Sequence, residues 1–500
     1  MASKIFTGDM PEMMENILSN LRNEHYSLYS CALVNRHWCK ISIPILWSDP
    51  FSFNKLPNFI SRYFSFLNDD EKTVLRECGS IGTIISNTLF PYAKFLKVLD
   101  LLLFVCKVQL WVESLCTDPL RQVGKEIVNL LLKLFIKSGA TLSNLRTYIN
   151  FTIKPEIFYL LGKNETFFSR LQDVSVEGVS SESNMDGAIM LLRILAENAT
   201  NICSLSLNTL NSIHAQPINE VFASIIKPQQ HIRRIILNYQ LNLHSIVSAL
   251  ESQCKSLQEI KIFKCDCSDE FRILMDCENL KVFRAIYSAD RILLRILSTS
   301  ICKLTILEIS SNQFDASNVI QILERSGSLL QRLKLESSLE VISQSSLLET
   351  LTNFCPNITY LYISSIKFST QLPRLIQGLQ RLQFLTLKWI RDENERANVI
   401  KKRVIRLAKL LPSTLRYLEW KALRSNPHND DLLNNCNAPL GKLLIHVDFG
   451  KKKLSETLIK FHVRKKTLRY VNVTSTDLNL VKDFEGYVIH VPYEKLVVHC

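Results

Sequence analysis

One spacing constrains this chain more than any other feature. An apolar residue, two spacers, an apolar residue, one spacer and a third apolar residue recur twelve times between Leu171 and Val473. The series runs from Leu171-Val174-Val176 through Ile202-Leu205-Leu207, Leu257-Ile260-Ile262, Leu304-Leu307-Ile309, Ile358-Leu361-Ile363 and Leu415-Leu418-Trp420 to Leu468-Val471-Val473. Successive starts lie 23 to 33 residues apart. The last three marked positions alternate with period two, as in a strand. The stretches between them, such as Ile246-Val247-Leu250 and Val319-Ile320-Leu323, carry helical spacing. One short strand and one helix cannot hide their apolar faces alone, so such units must stack.

The period and the strand pattern resemble the leucine-rich repeat, whose unit is about 20–29 residues. Three units place Cys three residues before the first apolar position: Cys254-Lys-Ser-Leu257, Cys277-Glu-Asn-Leu280 and Cys355-Pro-Asn-Ile358. This resembles the cysteine-containing repeat class common in F-box proteins. It implies that these thiols are small buried groups in the turn between helix and strand. A zinc site built from Cys254, Cys265, Cys267 and Cys277 is disfavoured, because Cys265-Asp-Cys267 leaves one spacer where zinc pairs use two to four. No metal and no cofactor is expected.

Residues 10–47 hold a second pattern. Asp9 is placed to cap a helix that opens on Pro11 and Glu12 and buries Met14, Ile17, Leu18 and Leu21 as one stripe. A second helix is predicted around Ser27 to Trp38, with Cys31, Val34 and Trp38 near one face. Pro11, Met14, Ile17, Leu18, Val34, Arg36, Trp38, Leu46 and Trp47 together resemble the F-box, in a fungal-type variant where Met10 stands for the opening Leu. That resemblance implies docking on a Skp-type adaptor, and through it on a cullin ligase. So small a segment gains from a partner, since a core of about 40 residues is marginal alone.

The fold expected is therefore α/β: a three-helix F-box-like segment at 1–50, a linker with irregular first repeats at 51–170, and a leucine-rich-repeat solenoid with a C-terminal cap at 171–500. The predicted role is that of a non-catalytic substrate receptor of an SCF-type ubiquitin ligase. Two alternatives are an interaction scaffold without a ligase role and a nucleic-acid binder. The last would use the eight Lys and Arg residues between Lys451 and Arg469 in a chain of net charge +13; a solvated face is the favoured reading of that run.

No Gly-x-Ser-x-Gly elbow, phosphate-cradling glycine loop, His-Glu-x-x-His pair or Cys-x-x-Cys motif occurs, and glycine is scarce, at 13 residues. The start of the chain lacks a basic, then apolar, then small-residue leader. The apolar run Val98–Cys106 is far short of the roughly 20 residues a membrane span needs. Both point to work inside the cell, in the cytoplasm and/or the nucleus, without a membrane partner. Five Asn-x-Ser/Thr sequons, including Asn164 and Asn472, are the features that favour the opposite compartment.

In a repeat of this kind the spacers of each strand point to the inner face. The later units place Arg332, Lys334, Tyr360, Tyr362, Phe384, Lys388, Tyr417, Glu419 and Tyr470 there. Tyr and Arg bring large contact area with a polar handle, so this half of the face is the candidate surface for a protein substrate.

Overall fold

In the computed structural model of the chain, the residues described are 11–53, 57–77, 88–115, 121–149, 153–178, 185–208, 216–239, 242–288, 291–314, 316–391, 395–423, 428–446, 451–474, 486–498 and 500. Asp9 and Met10, assigned above to the start of the first helix, lie outside them. The chain forms two compact units, Met1–Gln253 and Cys254–Cys500. Among the described residues no helix is long and apolar enough to cross a membrane.

The first unit opens with α1 (Pro11–Ser19), α2 (His25–Ala32) and α3 (Arg36–Leu46). Met14, Leu18, Leu28 and Ile45 make a small core, with Leu21, Cys31, Trp38, Ile41 and Leu46 packed around it. Two sequence expectations need correction. Ile17 does not belong to the buried stripe: it stands about 100° around the helix from Leu18 and is 49% exposed. The helix expected over Ser27–Trp38 is two helices. Asn35 adopts extended backbone and its side chain accepts the Trp38 N–H at 2.9 Å, starting a new helix and leaving Val34 exposed in the turn.

Trp47 leaves this bundle for an aromatic cluster. Its ring stacks on Tyr92 at 3.9 Å and meets Tyr63 edge-on at 5.3 Å. Phe51 and Tyr63 in turn pack on Phe135, at 6.2 and 5.1 Å. The Ser48 carbonyl accepts the backbone N–H groups of Lys97 and Val98, both at 2.9 Å. The three helices are thus tied through buried aromatics to the first strand. Five strands follow in this unit: β1 (Val98–Asp100), β2 (Asn144–Tyr148), β3 (Asp173–Glu177), β4 (Ser204–Asn208) and β5 (Arg234–Asn238), each parallel to the next. Repeats therefore begin at Val98, inside the stretch read from the sequence as a linker with irregular first repeats.

The second unit holds β6 (Glu259–Phe263), β7 (Val282–Ile286), β8 (Ile306–Ser311), β9 (Arg332–Ser337), β10 (Tyr360–Lys367), β11 (Phe384–Ile390), β12 (Tyr417–Leu423), β13 (Lys442–His446), β14 (Tyr470–Thr474) and β15 (Ile489–His490). They too run parallel, neighbour to neighbour. Each of the twelve spacings read from the sequence falls on one of the strands β3 to β14. Their second and third marked residues, such as Leu333 and Leu335 or Leu418 and Trp420, are fully buried against the helices.

The repeat thiols sit where the turn meets the strand. Cys277 and Cys254 both donate to the Ile273 carbonyl, at 3.6 and 3.7 Å, and Cys302 donates to the Cys277 carbonyl at 3.4 Å. Burial pushes the Cys355 thiol up to about 12 and the Cys436 thiol up to about 11. Since the thiolate is the reactive form, iodoacetamide on the native chain should label exposed Cys106 and spare Cys355 and Cys436; peptide mass spectrometry checks this.

Gly327 follows the helix Ala316–Ser326 and donates its N–H to the Leu323 carbonyl at 2.7 Å. A Cβ there would collide with that carbonyl and lie 2.8 Å from both Cys355 Sγ and the Phe354 carbonyl. Backbone cannot move aside cheaply, so Gly327→Ala should cost about 1–3 kcal/mol, read as a lower urea midpoint.

Candidate functional site

The strand registers arrange the inner-face spacers of the second unit in rows. One row runs Arg332, Tyr360, Phe384, Tyr417, Lys442, Tyr470. The next runs Arg284, Glu308, Lys334, Tyr362, Thr386, Glu419, Leu444, Asn472. These two rows hold eight of the nine candidate residues of this face, and Lys388, two residues beyond Thr386 on β11, is the ninth.

The first row is aromatic. The Arg332 guanidinium lies 4.8 Å over the Tyr360 ring, and Tyr360–Phe384 and Phe384–Tyr417 follow at 6.4 and 6.3 Å. The second is a charge network. Arg284 pairs with Glu259 and Glu308, Lys334 with Glu308 at 2.9 Å and Glu336 at 3.1 Å, and Lys388 with Glu419 at 3.4 Å. Tyr362 links the halves: its hydroxyl donates to Glu336 and accepts from Lys388 Nζ at 2.6 Å. Burial opposes ionisation of Glu336 and Glu419. Tyr362 and Lys334 overcome it at the first, and His446, Lys388 and Thr386 at the second, so both carboxyls are held below their usual range. Burial drives the Tyr362 and Tyr417 hydroxyls well up, keeping them protonated.

Tyr360, Tyr362, Tyr417 and Glu419 are buried, where the sequence reading required exposed tyrosines. The cover is a segment of the same unit. From β15 the chain turns back: Val491 donates to the Val471 carbonyl, Leu496 packs with Tyr417 and Leu444, and Tyr493, Val497 and Val498 close around them. The Tyr360 hydroxyl donates to the Val498 carbonyl at 3.0 Å, and Arg284 to the Cys500 carbonyl at 3.2 Å. Of the nine, Tyr470 is exposed, and Phe384, Arg332, Lys334 and Lys388 are half-buried. Arg284, Glu308, Glu336 and His446 were missed in the sequence, although stacking the twelve registers would have aligned the first two with Lys334. Residues 491–500 carry no periodic signal at all.

At the other candidate surface, Met14, Leu18, Trp38 and Leu46 belong to the small helical core, and Trp47 to the aromatic cluster. Ile17, Val34 and Arg36 face outward; the Pro11 side chain lies outside the described residues. Around Ile17 and Val34, the side chains of Met13, Tyr26, Tyr29 and Leu33 are also 48–74% exposed. Of the basic run, Arg464 is structural, donating to the carbonyls of Leu433, Asn434 and Cys436. Asn164 and Asn472, two of the sequon residues, donate to the Ile136 and Val491 carbonyls at 2.9 and 2.8 Å.

One buried parallel strand per unit, with leucine-type residues at fixed register and helices packed on the sheet, is the architecture of a leucine-rich-repeat fold. No family model and no curated protein matches the sequence. Similar solved structures include an internalin from Listeria monocytogenes, 10% identical over 71% of this chain and 88% of that one, with a TM-score of 0.34. Another is a leucine-rich-repeat protein from Leptospira interrogans, 12% identical over 79% and 99%, with a TM-score of 0.31.

Proposed function

We propose that this chain is a non-catalytic substrate receptor. In this reading α1–α3 dock on a Skp-type adaptor of a cullin-based ubiquitin ligase, inside the cell, and the inner face of the repeats holds a protein to be modified. The observation that carries it is the apolar surface of the helical segment. Six large apolar side chains, Met13, Ile17, Tyr26, Tyr29, Leu33 and Val34, stay exposed within one short stretch, on a bundle whose own core is four residues. Exposed apolar side chains gathered on so short a segment suit an interaction site, and Ile17 and Val34 among them belong to the F-box-like motif.

The repeats suit the other half of the role. The row from Tyr360 to Tyr417 is held in one geometry by the charge network beside it on the same face, so a partner meeting its accessible edge at Phe384, Lys442 and Tyr470 finds little left to order. The test is capture of a purified Skp-type adaptor by the full chain. Binding at micromolar affinity or better supports the reading. A folded chain that captures none leaves a repeat scaffold without the ligase role.

A further inference from the structure

A cavity of about 500 Å³ lies at the N-terminal ends of β11–β14. Four cations line it, Arg416, Lys442, Lys466 and Arg469, together with the rings of Phe384, Tyr417 and Tyr470, and no carboxylate does. Elsewhere on the inner face Arg284, Lys334 and Lys388 are each matched to a glutamate. Here Lys442, Lys466 and Arg469 make no ion pair among the described residues, and Arg416 is engaged only through Nη1, by the Ser413 and Leu415 carbonyls. The Thr467 hydroxyl oxygen, in the same lining, is buried with no hydrogen-bond partner among the described residues. Four like charges around one cavity repel one another, and an unpaired buried hydroxyl costs free energy; an anion that enters relieves both.

We infer that this pocket binds an acidic segment of a partner protein. Arg416 and Arg469 offer forked donors to side-chain carboxylates or phosphates, the two lysines add point charge, and the rings of Phe384 and Tyr470 give the peptide's apolar stems a surface. A nucleic-acid strand is a poorer occupant, because the cationic ground does not continue along the inner face toward β8, where Lys388 and Lys334 are matched by glutamates. The next charged inner-face residues toward β8 include Glu419, Glu336 and Glu308, so a chain of phosphates has no track to follow, whereas a short acidic peptide needs none. The inference rests on the reading of the repeats as a protein-binding surface and specifies what that surface selects.

The experiment is fluorescence anisotropy of the full chain with a labelled Glu/Asp-rich peptide, its phosphoserine counterpart and a single-stranded oligouridine of matched charge. Binding of either peptide, weakening with salt and weakened about tenfold or more by Lys442→Glu with Arg469→Glu, is the expected result; the tighter of the two tells carboxylate from phosphate. Lys227→Glu with Arg233→Glu removes equal charge from exposed positions in the other unit and should change binding less than about twofold. Three results overturn the inference: no peptide binding by the wild type, equal loss in the control variant, or oligouridine bound as tightly as the peptides. Adaptor capture through α1–α3 is untouched by these substitutions. A wild-type chain that captures the adaptor but binds neither peptide therefore condemns the pocket alone, and peptide binding without capture condemns the ligase reading alone.

Discussion

Aspartate at both Ile17 and Val34 should abolish capture of a Skp-type adaptor while leaving the thermal midpoint of the chain within a degree or two of wild type. Both side chains face solvent, at 49 and 59% exposure, and neither belongs to the small core of Met14, Leu18, Leu28 and Ile45. Surface substitutions of this kind change stability by about 0.5 kcal/mol or less. At the centre of an apolar interface the same change buries an unpaired carboxylate. Two such positions at about 2 kcal/mol each weaken binding on the order of a thousandfold. Trp38→Ala is the instructive contrast. Trp38 packs against the core, so its loss should lower capture and the melting midpoint together. Calorimetry beside a pull-down separates the two. Wild-type capture by the Ile17→Asp, Val34→Asp chain would show that this surface is not where the adaptor docks.

That design could not have been drawn from the sequence, and the reason is physical. Periodicity reports which residues lie along a stripe, and for α1 it placed Ile17 on the stripe with Met14 and Leu18. A nine-residue helix in a bundle this small buries only one narrow line, and Ile17 falls outside it. Nor did the spacing of Cys31, Val34 and Trp38 reveal that Asn35 interrupts their helix, because a cap is a local hydrogen bond and leaves the apolar period almost unchanged. The repeats were legible for the opposite reason: the signal was repeated twelve times, and each repetition had to meet the same parallel neighbour. Where strands are short or their period is lost among helices, as at β1 and β2, that redundancy was missing.

The inner face divides the same way. Register placed every one of its candidate residues correctly on the strands, since a strand's alternation decides which side chains point inward. Whether they meet solvent depends on residues 491–498 and 500, which reach Tyr360 from 138 positions away and Arg284 from 216. No local pattern encodes such a return. It turns Tyr360 and Tyr417 from a presumed contact surface into a buried frame, so replacing them by Ala would remove packing and binding together and could not by itself identify a partner.

Lys388→Met should be among the most damaging single substitutions on this face, costing about 3–5 kcal/mol near neutral pH. Lys388 sits between the two halves of the network, 3.4 Å from Glu419 and hydrogen-bonded to the Tyr362 hydroxyl. Glu419 is 1% exposed, and without that ammonium its charge is left to His446, Thr386 and the Tyr417 hydroxyl. The pH dependence gives the sharper readout. In the wild type Glu419 is held below its ordinary value of 4.5, so its contribution is complete above that value and is lost as pH falls through its lower folded one. Removing Lys388 lets burial dominate and lifts the folded value above the unfolded one, so Glu419 destabilises near neutral pH, its protonation relieves that cost, and the deficit against wild type must shrink as pH falls. Adding Glu419→Gln removes the stranded charge, so the double variant should regain much of the loss near neutral pH and show a flatter acid limb than wild type. Urea midpoints across the acid range measure all of this. If Lys388→Met stays within about 0.5 kcal/mol of wild type with an unshifted acid limb, the network is a solvated decoration and not the frame that fixes the aromatic row.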